Sequence, residues 1–270
     1  MTLTDLTKDN ILANLHANHP WSNSVFWFDC IDSTNNEAKR LAATGAPHGT
    51  VLIADRQTGG RGRLGRSFES PGGSGVYLSV ILRPECSPEK LLHLTCAVAT
   101  AMCNAIQSAA GFRPGIKWTN DLVWGGKKLG GILTELSVEQ NSVRYAVIGI
   151  GINCCQQKKD FSPELQDMAA SLSMVAKKPV DRSVLAAAMI HALWKMDADL
   201  LAGKAKIMSD YRSDCITLGQ DIVLLRAEEL RRGKALDIDD DGGLMVAFND
   251  GTRQTVTSGE VSIRGMYGYV

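Results

Sequence analysis

Positions 55–75 read DRQTGGRGRLGRSFESPGGSG. Seven glycines and the arginines 56, 61, 63 and 66 share this stretch with only two acids. Guanidinium groups present a planar fork of donors that suits phosphate or carboxylate, and glycine lets backbone N–H groups approach an anion closely. Arg61, Arg63 and Arg66 have one or two residues between them, so a flexible loop could close them around a polyanion. Taken alone, the stretch reads just as well as a solvated arginine–glycine loop or a weak RNA contact. It is not a P-loop, because no G-x-x-x-x-G-K-[ST] occurs, and GRGRLGR spaces its glycines differently from a dinucleotide fingerprint.

Two further stretches change the weighing. KWTND (117–121) sets Lys117, Asn120 and Asp121 beside a buried strand, and KKLGGILTE (127–135) brings Lys128 onto a strand that otherwise reads apolar. A lone lysine at a strand start is ordinarily a solvated flank. GIGIN (149–153) is a lone G-x-G, more often packing than ligand contact. Anion-binding and metal-compatible clusters around one sheet are harder to dismiss together.

The elements that must position these residues follow from periodicity and turn chemistry. Leu6, Ile11, Leu12 and Leu15 fall at roughly helical spacing in 3–16. SVFWFDCI (24–31) reads as a buried strand, and 32–43 as a helix in which Thr34 and Glu37 fit a capping box. Strands are expected over 50–57 and 75–84, with the glycine loop between them. Residues 87–111 form a long helix closed by glycine, with a small, apolar surface suited to burial against a sheet. Two strands turn around Gly125-Gly126 within 116–137, another apolar strand runs over 142–155, and 181–204 is helical. Hairpins outnumber βαβ units, so the fold class is α+β with a mixed sheet. After about Ser213 the text changes to short strands split by DDGG and NDG turns, so we divide the chain into 1–214 and a small β-barrel over 215–270.

Composition bounds the function. There are 29 basic and 29 acidic residues, a net charge of zero, which excludes a broad nucleic-acid footprint. The first thirty residues carry no secretory pattern, and no apolar stretch approaches the roughly 18 residues of a membrane span. Seven cysteines without a C-x-x-C fit a reducing, cytoplasmic setting better than disulfides or structural zinc.

STNNEA, DRQTGGRGRLGRSFESPGG, KWTNDLVWGGKKLGGILTE and GIGINC occur in the order and spacing of the biotin–protein ligases, and GEVSIRG (259–265) is similar to the end of their C-terminal barrel. The resemblance covers about residues 24 to 265 and implies a mixed-sheet domain, of the type shared by class II aminoacyl-tRNA synthetases and biotin/lipoate ligases, followed by an SH3-like barrel. It resembles the shorter class without an N-terminal DNA-binding domain. The implied reaction joins biotin and ATP into biotinyl-5′-AMP with Mg²⁺ as activator, then passes biotin to a lysine of a carboxylase's biotin carboxyl carrier domain. Some relatives dimerise through the sheet, so a homodimer is an open expectation.

The resemblance also assigns residues. Ser33, Thr34, Asn35, Gln57, Arg61 and Gly62 match biotin contacts, with Gly131 and Ile132 as an apolar wall. Arg63 and Lys128 match the groups on the biotin carboxylate and α-phosphate, acting as cations rather than nucleophiles. Phe68, Lys117, Asn120, Asp121, Asn153 and Arg264 match the nucleotide side, and Asp121 is the candidate magnesium ligand. Phe68 stands where the family has tryptophan, and Thr119 where it has proline. The rival enzyme is a lipoate–protein ligase, which shares the fold and the lysine; a rival of another class is a biotin-responsive regulator without catalysis.

Overall fold

The computed structural model describes residues 5–226, 229–257 and 260–263. After the short helix α1 (Lys8–Asn14) come β1 (Val25–Ile31), α2 (Thr34–Ala43), β2 (Thr50–Gln57) and β3 (Gly75–Leu82). Helix α3 (Leu94–Ala110) leads to β4 (Gly115–Lys117), β5 (Asp121–Trp124), β6 (Lys127–Glu139) and β7 (Ser142–Asn153). These seven strands form one sheet in the order β1-β2-β3-β7-β6-β5-β4. Strands β1 and β2, joined through α2, run parallel; the other neighbours are antiparallel. Helices α4 (Leu172–Ala176), α5 (Arg182–Asp199) and α6 (Lys204–Asp214) follow.

Both faces of the sheet are covered, and strand alternation decides what each face carries. On β3, Val76, Leu78, Val80 and Leu82 enter the main core beneath α3 and α5, together with Ile148, Ile150 and Ile152 of β7. The opposite face holds a smaller cluster of Leu52, Ile81 and Val147 under Ala38 and Ala42 of α2. Each fully buried Val, Leu or Ile contributes roughly 1.5–3 kcal/mol from burial, so the large core fixes the sheet. The α2 face is left room for polar groups.

The chain then forms β8 (Asp221–Arg226), β9 (Glu229–Ile238), β10 (Leu244–Phe248), β11 (Arg253–Val256) and β12 (Glu260–Ile263), a five-stranded antiparallel sheet ordered β11-β10-β9-β8-β12. It is fastened to the large sheet near KWTND. The Trp118 indole donates to the Gly242 carbonyl at 2.9 Å, the Trp118 backbone N–H donates to Thr217 Oγ1 at 2.9 Å, and Arg212 of α6 reaches the Ile238 carbonyl at 2.7 Å.

Four expectations change. The α2 capping box does not form: Ser33 is the N-cap without a side-chain bond, and the Thr34 N–H is met by Gln57 Oε1 at 2.8 Å. Glu37 instead pairs with Arg40 at 2.6 Å. Strand β1 is an edge strand, buried only at Val25 along its length. The run Pro88–Ala110 is, by length and composition, apolar enough to cross a membrane, because many alanines join its Leu, Val, Ile, Met and Cys; here it is mostly buried as a core helix, with a 3₁₀ turn at its start. Helix α6 was not anticipated, since it buries only Met208 and Tyr211 of eleven largely polar residues.

Candidate active site

Alternation puts Ser79, Gly149, Gly151, Gly131, Leu133 and Glu135 on the α2 face. The register aligns them into two rows: Ser79–Gly149–Leu133, and Tyr77–Gly151–Gly131–Asp121. The glycines form a floor on which other parts rest. A Cβ at Gly149 would overlap the Asn35 amide, one at Gly151 would lie 2.5 Å from the Phe68 ring, and one at Gly131 would meet Lys128 Nζ at 3.4 Å. Over this floor lies a cavity lined by Ser33, Thr34, Asn35, Gln57, Arg61, Gly62, Arg63, Phe68, Asn120, Lys128, Gly131 and Ile132, with backbone from β7.

One end of the cavity is neutral and polar. Gln57 Oε1 accepts from the Thr34 N–H at 2.8 Å and its hydroxyl at 3.1 Å, while Gln57 Nε2 donates to Ser70 Oγ at 2.9 Å. Ser79 Oγ sits 2.8 Å from Thr34 Oγ1 and 2.6 Å from Asn35 Oδ1. A hydroxyl carries one proton, so Ser79 satisfies one of these oxygens at a time. Acceptors outnumber donors here.

The other end is charged. Lys128 Nζ lies 2.7 Å from Asp121 Oδ1, and Arg63 Nη1 donates to Asn120 Oδ1 at 2.8 Å. Consecutive side chains at 120 and 121 therefore hold the two cations. Asn120 is itself clamped to β6: its Nδ2 donates to the Ile132 carbonyl at 3.0 Å, and its own carbonyl accepts the Ile132 N–H at 3.0 Å. Tyr211 Oη donates to the Thr119 carbonyl at 3.1 Å, so α6 braces the same turn. The Lys128 backbone is pinned by Met168 and Ala170 at 2.8 and 2.9 Å.

The glycine loop is a small hairpin. Phe68 N–H donates to the Gly60 carbonyl at 2.9 Å and Gly62 N–H to the Arg66 carbonyl at 2.7 Å. Leu64 (φ 56°) and Gly65 (φ 75°) take the left-handed conformation at the tip.

A bifunctional ligase/repressor, BirA, of Bacillus subtilis is 39% identical to this chain over 231 residues, which cover 85% of the chain and 71% of that protein. The chain belongs to the biotin–protein ligase family. Residues 27–153 match the profile of the biotin/lipoate A/B protein ligase family, and residues 217–264 that of the biotin protein ligase C-terminal domain. The biotin–[acetyl-CoA-carboxylase] ligase of Mycobacterium tuberculosis is 31% identical over 235 residues, covering 85% of each chain. A biotin protein ligase from Aquifex aeolicus, solved in complex with biotin and ATP, superposes with a TM-score of 0.74 at 30% identity, covering 89% of this chain and 98% of that one. As a ligase of this family, the chain is an enzyme of mixed α+β fold with an antiparallel C-terminal sheet.

Within this ligase, the structure draws most of the sequence-selected residues to one cavity and leaves others apart. Lys117 is buried on β4 and does not line it. Asn153 also stands outside the lining; its amide donates to the Ala170 carbonyl at 3.2 Å, at the end of a strand. Arg264 lies outside the described residues. Phe68 lines the cavity against Gly151, edge-on to Tyr77 with ring centroids 6.4 Å apart. The Arg61 guanidinium is turned to Glu135 and Asn36, each at 3.2 Å.

Ser79 and Glu135 were missed. Ser79 is the one small hydroxyl residue in the buried run GVYLSVIL, a visible signal. Glu135 carries no local signal, because its partners Asn35, Lys39 and Arg61 lie far away in sequence. Burial pushes the Glu135 carboxyl up, but the Asn35 hydrogen bond and the Lys39 and Arg61 cations outweigh this, leaving it below the usual carboxylate range.

Proposed function

We propose that the cavity joins biotin to ATP as biotinyl-5′-AMP and then passes biotin to a lysine of the carrier domain of acetyl-CoA carboxylase. The observation that carries this reading is the cavity's two-ended chemistry: a surplus of neutral acceptors at one end, and two cations held by consecutive side chains at the other. A cyclic urea offers N–H donors to Thr34, Asn35 and Gln57, whereas the dithiolane of lipoate has none to offer. The names of the relatives, an Aquifex ligase bound to biotin and ATP and a carboxylase ligase of Mycobacterium, support the same substrates.

In the first step a biotin carboxylate oxygen attacks the α-phosphorus of ATP. An O–P bond forms and pyrophosphate leaves with the electron pair of the cleaved bond. Two anions must meet, and the Lys128 ammonium and Arg63 guanidinium reduce their repulsion and neutralise charge that grows in the transition state. Asn120 positions Arg63, and Asp121 positions Lys128. Ser33, Gly62, Gly131 and Ile132 complete the walls around biotin; Phe68 covers the nucleotide, and the loop excludes water from the mixed anhydride. In the second step the carrier lysine's amine attacks the biotinyl carbonyl, and AMP departs.

Magnesium belongs to this reading. Among the described residues no group of three or more His, Cys, Asp or Glu side chains could hold a metal. The single carboxylate of Asp121 suits Mg²⁺, which takes most of its oxygens from phosphate and water. When bound, it would neutralise charge on the departing pyrophosphate. Lys117, Asn153 and Arg264 join the nucleotide side of the proposal. We assign catalysis to 1–214 and the barrel to 215–270, in line with the two family profiles. Seven free cysteines and a net charge of zero favour a reducing cytoplasm without DNA or membrane partners. A homodimer remains within the proposal.

Exchange of labelled pyrophosphate into ATP tests the substrate. Biotin is expected to drive exchange and lipoate or octanoate to give none. Exchange with lipoate but not biotin would transfer the site to the rival ligase. Exchange without labelling of a carrier-domain lysine on an avidin blot would remove the transfer step.

A further inference from the structure

Asn35 can face the cavity in two ways, with its oxygen or its NH₂ group over Gly149. The two differ in what they offer a ligand, since the oxygen only accepts and the NH₂ only donates. Its immediate cavity neighbour, Ser79 Oγ, can accept or donate and so does not choose between them.

Glu135 does choose. It projects from β6 on the cavity face, and Oε2 accepts from Asn35 Nδ2 at 3.0 Å. A carboxylate has no proton to donate, so a turned amide would set its oxygen against a negative charge in a half-buried place. Oε1 is occupied as well, by Lys39 Nζ at 3.0 Å and Arg61 Nη1 at 3.2 Å. Those two cations hold the carboxylate in its charged, accepting form. Arg61 also donates to Asn36 Oδ1 at 3.2 Å, which ties the glycine loop to the first turn of α2. Gly149 completes the arrangement, since any side chain there would drive Asn35 out of place.

We infer that Glu135 is a positioning residue for substrate selection: it fixes the Asn35 amide with its oxygen toward the cavity, so that the site takes a ring with N–H donors, and it anchors Arg61 of the loop to the same point. This rests on the reading of Asn35 as a contact of the cyclic urea. Glu135 itself touches no reacting atom. Its loss therefore changes how biotin is recognised, not how the α-phosphorus is attacked.

The experiment measures KM for biotin, KM for ATP and kcat in pyrophosphate exchange for Asn35→Ala, Glu135→Leu, Asn35→Asp and the double variant Asn35→Asp/Glu135→Gln. Asn35→Ala and Glu135→Leu are each expected to raise the biotin KM about 10-fold or more, the size of one lost hydrogen bond in a built site, with ATP KM and kcat within about twofold. Asn35→Asp sets two carboxylates face to face and is expected to be worse. Adding Glu135→Gln then restores a donor to the new carboxylate, whose second oxygen still faces the ligand, and recovers much of the biotin KM, as expected of two coupled side chains in contact. Damage to folding alone would not be repaired by a second change. If Asn35→Ala leaves the biotin KM unaltered, the substrate contact itself is wrong. If Asn35→Ala raises it but Glu135→Leu does not, or if the double variant is no better than Asn35→Asp, the inference fails while that contact stands.

Discussion

Lys128→Ala is expected to slow formation of the adenylate by about 10²–10³-fold, the usual cost of removing one group aimed at developing charge. The fold should survive. The lysine side chain is 35% exposed and pairs with Asp121, an arrangement worth little to stability. The strand position of residue 128 depends on backbone bonds to Met168 and Ala170, which the substitution keeps. Single-turnover rates separate the two steps. The variant should lose adenylate formation far more than transfer from ready-made biotinyl-5′-AMP. An unchanged first step would take the lysine out of the chemistry.

Arg63→Ala acts on the loop as well as on charge. Its guanidinium is the link from the hairpin tip to Asn120 at 2.8 Å, and Asn120 is fixed to β6 by two bonds. With the link gone, the hairpin keeps its own ladder but loses its hold on the cation end of the cavity. Biotinyl-5′-AMP is expected to dissociate about 10–100-fold faster, as suits a lost charge-assisted hydrogen bond. Binding of biotin alone should change less, since the neutral end rests on α2 and Gln57. Asn120→Ala should reproduce part of the effect. A dissociation rate equal to the parent's would refute the loop's role as a cover.

Several features were legible in the sequence for physical reasons. Gly125 (φ 54°) and Gly126 (φ 77°) both take the left-handed conformation that a tight hairpin demands, so the β5–β6 turn was readable from two letters. The continuous apolar runs GVYLSVIL and that leading into GIGIN marked buried strands. The cap of α2 was not legible. Its first N–H is met by Gln57, 23 residues away, so a local rule gave a local answer to a tertiary arrangement. Glu135 escaped for the same reason, with a partner 100 residues distant. Lys117 and Asn153 show what a motif leaves open: one is buried on β4, and the amide of the other donates to the Ala170 carbonyl. Proximity in a motif says that residues share a neighbourhood. Which of them face the cavity depends on strand parity and on what packs behind.

The central claim is that Lys128 and Arg63 meet at the junction of an acyl group and the innermost phosphate. A crystal structure of the ligase with a non-hydrolysable biotinyl-adenylate analogue tests it most directly. The account predicts Lys128 Nζ and an Arg63 nitrogen within hydrogen-bond distance, about 2.7–3.2 Å, of the acyl or phosphate oxygens. Both side chains lying elsewhere, with the adenylate held by other groups, would contradict it.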